Sequence, residues 1–250
     1  MSKLEKCSNG RCLIPAGTFQ MGDANGDRDE QPVKTVTMSA FLLGQTEVSI
    51  SEYYKHSQTT SENLQSVMDG QMCYIDTGVK QLGNTCTEND YPIGDLSMRE
   101  KRDYCQSKGG DLATAAQLHF ASRFDELDSI INGKDERILN VNGHEMQSSV
   151  FGGYKNRFGV YNLLGNVWET ALDAYDEDFY SRMTLIDPYN PMTYGPSGQP
   201  MQTLELSGGS FSARFHSRGL RSADRQSAFS MGEDIIVGFR CAWPLPVGSK

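Results

Sequence analysis

Turns and loops are predicted for most of this 250-residue chain, which limits the folds open to it. Helix patterns occur at residues 46–57, 97–107 and 114–124. Ser97 followed by Glu100 is a capping box, and Thr46 and Ser49 are candidate N-caps of the first helix. The alternating residues 33–43 predict strands. The rest is dense in Gly, Asn, Asp, Ser and Tyr, which favour turns. We therefore predict an α+β fold with little regular structure.

The charge balance and the hydropathy pattern exclude two classes of protein. The chain has 32 acidic and 23 basic residues, a formal net charge of −9, so we expect no nucleic-acid partner. Its apolar runs are far shorter than a bilayer requires, so we expect no membrane span. No repeat or linker divides the chain, which favours a single domain.

The cysteine count is even, but the spacing does not identify a metal site. The six cysteines are Cys7, Cys12, Cys73, Cys86, Cys105 and Cys241. They form no CxxC pair, and the four histidines supply no paired zinc ligands. Two interpretations stay open from the count alone, namely disulfides in an oxidising compartment and buried thiols in a cytosolic protein.

Two acidic clusters are candidate sites. Residues 23–30, DANGDRDE, alternate carboxylates like a calcium loop, but Gly26 stands at position four where an EF-hand needs glycine at position six. A solvated acidic turn is the alternative. Residues 173–180, DAYDEDFY, are interpreted as an exposed acidic loop, although paired carboxylates can also perform acid–base chemistry. No known short catalytic motif frames either cluster.

Motifs spread along the chain are more specific than these clusters. They are IPAGTFQMG at 14–22, FGVYNLLGNVWET at 158–170, SGGSF at 207–211 and GFRCA at 238–242. Their order resembles the formylglycine-generating enzyme family, the sulfatase-modifying-factor domain. The resemblance implies a loop-rich variant of the C-type lectin fold. On this basis we expect one domain at residues 14–246 after an N-terminal extension at residues 1–13.

The resemblance also implies a calcium site at the GNVWE motif. Its candidate ligands are Gly165, Asn166, Val167 and Glu169, where the glycine and valine contribute carbonyl oxygens. Asn140 and Val141 are weaker candidates for a second family calcium site. A hydrogen-bonded turn without metal is the alternative at GNVWE.

The same resemblance divides the cysteines. It implies a disulfide between Cys105 and Cys241, which leaves Cys7 with Cys12 and Cys73 with Cys86 as local pairs. Disulfides favour a periplasmic or extracellular location. The first residues, MSKLEK, show no signal peptide, so a cytoplasmic location stays open.

The cysteine pair that the family uses for oxygen chemistry is not found at its expected place. The two catalytic positions fall at Ala213 and near Arg218, and no cysteine stands between Cys105 and Cys241. Since copper(I) requires soft thiolate ligands, we expect no bound copper and no formylglycine generation.

Two function classes then compete. The favoured one is a non-catalytic binding or accessory module, including variable-surface display proteins, whose unknown protein or small-molecule ligand binds at residues 209–240. Its candidate contact residues are Phe211, Ser212, Arg214, Phe215, His216 and Arg218.

The alternative is a periplasmic, cofactor-dependent oxidoreductase or maturation enzyme that resembles the pyoverdine-maturation branch of the family. Its candidate catalytic residues are His216, Arg214, Arg218 and Arg221, with Glu205 or Asp224 as partners.

Overall fold

The computed structural model describes residues 7–60, 72–75, 78–81, 90–123, 149–196, 201–210, 221–228 and 237–245. Strands in these ranges are β1 Cys7–Ser8, β2 Arg11–Ile14, β3 Gly17–Met21, β4 Lys34–Met38, β5 Phe41–Gly44, β6 Met72–Ile75, β7 Gly78–Gln81, β8 Asp111–Leu112, β9 Trp168–Ala174, β10 Leu204–Ser207, β11 Arg225–Ala228, β12 Val237–Gly238 and β13 Cys241–Pro244. The α-helices are α1 Ile50–Thr60, α2 Met98–Ser107, α3 Ala115–Arg123 and α4 Phe179–Arg182, and a 3-10 helix covers Arg28–Glu30. Mixed short elements joined by loops confirm the predicted α+β class. Among the described residues, no helix has the length and apolarity needed to cross a bilayer.

Local side-chain caps define where the predicted helices begin. Ser97 Oγ accepts a hydrogen bond from the Glu100 amide at 3.3 Å, and the Glu100 carboxylate accepts one from the Ser97 amide at 2.8 Å. The same reciprocal pair forms at α1, where Ser49 Oγ accepts from the Glu52 amide at 3.2 Å and Glu52 accepts from Ser49 at 3.1 Å. Each pair satisfies two amides that a helix N-terminus leaves without partners. Ser49 is therefore the N-cap of α1.

The first sheet joins the beginning of the chain to its end. Its five strands lie in the order β1-β2-β5-β13-β8, with antiparallel neighbours throughout. Cys7 and Cys12 face each other across the β1–β2 hairpin and form a disulfide. The sequence analysis placed residues 1–13 in an N-terminal extension. In the structure, residues 7–13 form β1, the turn after it and most of β2, so they belong to this sheet.

A second disulfide links α2 to β13. Cys105 and Cys241 are bonded across a sequence separation of 136 residues, which confirms the pairing implied by the resemblance. The bond lies in an apolar cluster that includes Leu96, Tyr104 and Phe239, and the rings of Tyr104 and Phe239 meet edge to face at 5.7 Å. Of the expected Cys73–Cys86 pair, Cys73 falls within β6 and Cys86 lies outside the described residues.

A four-stranded sheet forms the second layer, in the order β11-β10-β9-β12. β10 is antiparallel to both β9 and β11, whereas β12 is parallel to β9. The end of β10 and the beginnings of β9, β11 and β12 consequently lie at one end of this sheet. A separate core cluster packs α3 against β3 and β4, with the rings of Phe19 and Phe120 at 5.2 Å.

Candidate functional site

Three of the four sequence motifs, those at 158–170, 207–211 and 238–242, meet at the end of the four-stranded sheet where β10 ends, and we call this the motif end. Glu169 of GNVWE is in register with Ser207 of SGGS on one side and with Gly238 of GFR on the other. The Gly165 amide donates to the Gly208 carbonyl at 2.7 Å. Gly208 has a φ of 93°, and a Cβ there would lie 2.9 Å from the Leu163 carbonyl oxygen, so this close approach requires glycine.

A buried arginine joins two of the motifs to the segment around Gly44 and Glu47. Arg240, which is 1% exposed, donates from Nε to Glu169 Oε2 at 2.6 Å, and its Nη2 also contacts Glu169 Oε1. Its remaining donors reach the Gly44 carbonyl at 3.1 Å and the Tyr161 carbonyl at 2.9 Å. Glu47, from the TEVS segment, lies 4.0 Å from Arg240 Nη2. Since the guanidinium is engaged on every side, its role here is to hold loops together.

Two asparagines complete this cluster around Glu47. Asn162 donates to Glu47 Oε2 at 3.1 Å and Asn166 donates to Glu47 Oε1 at 2.9 Å. Both asparagines have positive φ, 54° and 59°, which their short side chains tolerate. Burial raises the pKa of Glu47 to about 7, against the opposing attraction of Arg240.

These contacts bear on the predicted calcium ligands. Both Glu169 oxygens accept hydrogen bonds from Arg240, so a cation at this turn would share the carboxylate with a guanidinium. The described residues contain no cluster of three or more His, Cys, Asp or Glu side chains arranged to hold a metal. The oxygens left to a cation would come from Asn166 and from the Gly165 and Val167 carbonyls. Calcium stays a prediction, and Asn140 and Val141 lie outside the described ranges.

A second buried ion pair supports β10 and β11. Arg225 donates from Nε and Nη2 to the two oxygens of Glu205, both at 2.8 Å, in a bidentate pair. Both side chains are 2% exposed. Arg225 also donates to the Asp29 carbonyl at 2.6 Å and lies 4.5 Å from the ring centroid of Tyr180. Glu205, proposed from the sequence as a catalytic partner, is therefore held in a structural pair.

Arg221 pairs with two carboxylates of the acidic loop at 23–30. Arg221 Nη1 donates to Asp23 Oδ2 at 2.8 Å, and both terminal nitrogens contact the Glu30 carboxylate. Glu30 is fully buried and Asp29 is 8% exposed. The loop also has four exposed residues, so it is in part the solvated turn that was the alternative to calcium: Ala24, Asn25, Asp27 and Arg28. Gly26 packs directly against this pair, since a Cβ there would lie 2.0 Å from Glu30 Oε2.

The segment 173–180 is also more buried than predicted. Asp173 is 1% exposed and accepts hydrogen bonds from the Ala115 and Asn190 amides, both at 2.9 Å. Burial, reinforced by the nearby Glu205 carboxylate, raises the pKa of Asp173 to about 7. The interpretation of an exposed acidic loop is therefore wrong for Asp173, whose carboxylate anchors α3 to β9. Glu177 and Asp178 fit the interpretation, since their side chains are 52% and 68% exposed.

Asp224 lies beside Arg221 and differs from the other buried carboxylates. It is 3% exposed, and among the described residues its Oδ2 has no hydrogen-bond partner. Its pKa is raised to about 7, first by burial and then by Glu30. Such a group can retain a proton near neutral pH, which is unusual for a carboxyl.

Of the predicted candidates, the structure places Arg221 beside Asp224, whereas Glu205 pairs with Arg225. The other predicted contact residues lie in the segment outside the described ranges: Phe211, Ser212, Arg214, Phe215, His216 and Arg218. Ser210 and Arg221, which bound that segment, are both described, and Ser210 is fully buried. Sequence reasoning missed Glu47, Arg225 and Arg240. Only Arg240 carries a local signal for a buried ion pair, because it stands between Phe239 and Cys241 in GFRCA.

Comparison with known proteins agrees with the motif order. A model of the sulfatase-modifying factor enzyme 1-like domain family matches residues 2–245. The formylglycine-generating enzyme of Streptomyces coelicolor is 22% identical over 289 residues, covering 95% of this chain and 90% of that enzyme. The structure of PvdO from Pseudomonas aeruginosa superposes with a TM-score of 0.66 and 20% identity, covering 94% of each chain. Treponema denticola variable protein 1 has a TM-score of 0.63 and 15% identity, covering 93% of this chain and 94% of that one. These structures share the fold, which confirms the expected architecture.

Proposed function

Because the chain belongs to the sulfatase-modifying factor enzyme 1-like domain family, we propose that it uses the family fold as a binding or accessory module and does not generate formylglycine. The observation that carries this proposal is the absence of cysteine between Cys105 and Cys241. Both of these residues are held in a disulfide, as are Cys7 and Cys12. Thiolates at Ala213 and Arg218 would be needed for copper(I), and neither residue provides one.

The architecture around residues 209–240 favours a role in binding. β10 and β11 are cross-braced by the Glu205–Arg225 pair, and Arg221 is tied to the loop at 23–30. Ser210 and Arg221, the described residues on either side of 211–220, therefore belong to a braced part of the fold. Loops on a rigid scaffold are common positions for recognition residues.

The composition of residues 211–220 indicates what the surface could contact. Phe211, Phe215 and His216 supply flat rings, and Arg214 and Arg218 supply charge. Aromatic residues and arginine are enriched at protein interfaces. We propose a protein or small-molecule ligand for this surface, and a periplasmic or extracellular location in view of the disulfides.

The first experiment measures the chemistry directly. The purified protein is incubated with copper(I), oxygen and a sulfatase-derived cysteine peptide, and the peptide mass is followed beside a formylglycine-generating enzyme as positive control. We expect no conversion by this protein. Conversion would overturn the proposal, and a stoichiometric redox metal in the protein as purified would favour the maturation-enzyme alternative.

A second experiment tests the surface. Arg214→Ala and Phe215→Ala are compared with Arg99→Ala, a matched control whose side chain is 75% exposed on α2. A partner crosslinked from the native compartment should be lost with the first two variants and retained with the control. Retention by all three variants would contradict a binding role for residues 209–240.

Calcium is proposed as a structural cofactor of the motif end. Chelation should lower the melting temperature of the wild type, and added calcium should restore it. Asn166→Ala should lose this response, since its side-chain oxygen is a proposed ligand. A wild type whose melting temperature is unaffected by chelation and by calcium would refute the site.

A further inference from the structure

A cavity of about 370 Å³, lined in part by Glu47, opens between the β1–β2 turn, α1, the end of α2 and β13. None of its lining residues falls within 209–240. The Cys105–Cys241 disulfide ties α2 to β13, two of the elements that form its wall. A volume of this size is within the range of sites for small molecules.

Three cations line this cavity without a carboxylate partner among the described residues. Arg11 donates from Nη2 to the Lys108 carbonyl at 3.0 Å and pairs with no carboxylate among the described residues. Lys55 is exposed and Lys108 directs its ammonium over the Tyr104 ring, 5.4 Å from the centroid. By contrast, seven other arginines of the described chain pair with carboxylates: Arg28, Arg99, Arg102, Arg182, Arg221, Arg225 and Arg240.

The carboxylates at the cavity are already engaged. Glu52 accepts hydrogen bonds from the Ser49 amide and hydroxyl in the cap of α1. Glu47 is fully buried and accepts from Asn162 and Asn166. Neither carboxylate pairs with Arg11, Lys55 or Lys108, so the positive charge of these three side chains remains available to a ligand, although the formal net charge of the protein is −9.

Flat, rigid walls accompany these charges. The Trp243 ring stacks under the Arg11 guanidinium, 4.0 Å from centroid to Cζ, and its Nε1 donates to the Lys108 carbonyl at 3.0 Å. The Tyr104 and His56 rings meet edge to face at 5.1 Å. These contacts fix the aromatic surfaces before any ligand binds, which lowers the entropic cost of binding.

From these residues we propose that the cavity binds a small organic anion that carries a flat ring. Arg11, Lys55 and Lys108 face the anionic group, and charge-assisted hydrogen bonds from guanidinium and ammonium groups are among the stronger polar contacts. Tyr104 and His56 contact the ring. This site is independent of the proposed surface at residues 209–240.

Calorimetric titration with four probes tests this proposal: benzoate, phenyl phosphate, benzyl alcohol and inorganic phosphate. We expect at least one of the two ring-bearing anions to bind more tightly than benzyl alcohol and inorganic phosphate. The preferred acid identifies the source of the anion as a carboxylate or a phosphate. The affinity should fall as the salt concentration rises, because exposed charges take part.

Variants identify the residues responsible. Arg11→Gln should weaken binding about tenfold, as expected for loss of a charge-assisted contact. Lys55→Gln should weaken it by a smaller factor without affecting folding, since Lys55 is exposed and has no ion-pair partner in the described ranges. The matched control Arg99→Gln should leave affinity unchanged. No binding of either ring-bearing anion at millimolar concentration, equal binding of benzyl alcohol, or unchanged affinity in both test variants would overturn the site.

Discussion

Asp224→Asn tests whether a carboxyl beside the motif end keeps its proton near neutral pH. Asp224 is 3% exposed and its Oδ2 lacks a hydrogen-bond partner among the described residues. Its pKa is raised from 3.8 to about 7, mainly by burial and next by Glu30, while Arg221 opposes the shift. Asparagine has a similar shape and never ionises, so the substitution removes the cost of burying this charge.

The pKa shift gives the sign and size of the effect. The folded protein holds this proton more tightly than the unfolded chain, so Asp224 lowers the free energy of unfolding as pH rises from about 4 to about 7. One pKa unit corresponds to about 1.4 kcal/mol, so the interval from pH 5 to pH 7 has a ceiling of about 3 kcal/mol. Local relaxation and water screen buried charges, which reduces the expected effect to about 1–2 kcal/mol. Relative to wild type, the variant should therefore gain more stability at pH 8 than at pH 5.

Urea unfolding followed by circular dichroism at pH 5 and pH 8 measures this difference. The matched control is Asp103→Asn, which removes a carboxylate that is 56% exposed on α2. The control should show no comparable dependence on pH. An equal effect of Asp224→Asn at both pH values would refute the reasoning, and a larger loss of stability at pH 8 would mean that ionised Asp224 has a stabilising partner.

Three further perturbations test what holds the fold together, each by urea unfolding. Arg240→Met should lower the free energy of unfolding by about 3–5 kcal/mol, because it leaves Glu47 and Glu169 buried without a counter-charge. The surface control Arg99→Met should have little effect, and similar losses in the two variants would contradict this reasoning. Replacing Cys105 and Cys241 with alanine should lower the free energy of unfolding by up to about 5 kcal/mol, and replacing Cys7 and Cys12 should lower it by about 2 kcal/mol, because the first disulfide closes the longer loop. Equal losses would count against chain entropy as the cause. Burial lowers the pKa of Lys101 from 10.5 to about 7, so the wild type gains stability as the pH rises from about 7 to about 10.5. Lys101→Met should therefore raise the free energy of unfolding more at pH 6 than at pH 9. An effect that is the same at both pH values would contradict this prediction.

Features that depend on near neighbours in sequence were predictable. The capping box of Ser97 and Glu100 places the beginning of α2 at Met98, as the spacing indicated. Ser49 and Glu52 have the same spacing, and the first helix begins at Ile50 although its pattern was placed from residue 46. A side chain can reach the amide three residues away whatever the rest of the fold does, so such boundaries can be predicted from local sequence.

The buried ion pairs were not predictable in this way. Glu47 and Arg240 are separated by most of the chain, and nothing local shows that they meet. Asp173 looked like a solvated acid because of its acidic neighbours, yet it accepts two backbone hydrogen bonds in the interior. Whether a carboxylate is solvated or buried depends on contacts that only the tertiary fold brings together.

This division explains why the motifs predict the fold more firmly than the function. In GNVWE, SGGS and GFR, the residues with visible roles hold loops: Glu169 binds Arg240, Gly208 permits a close backbone approach, and Asn166 supports Glu47. A loop-rich domain has little regular backbone hydrogen bonding to organise these segments, so the buried pairs and disulfides take over that task. None of these contacts requires a thiol at Ala213 or Arg218. The motifs can therefore maintain the family fold whatever residues stand at positions 213 and 218, so their presence predicts the fold and leaves the chemistry open to variation.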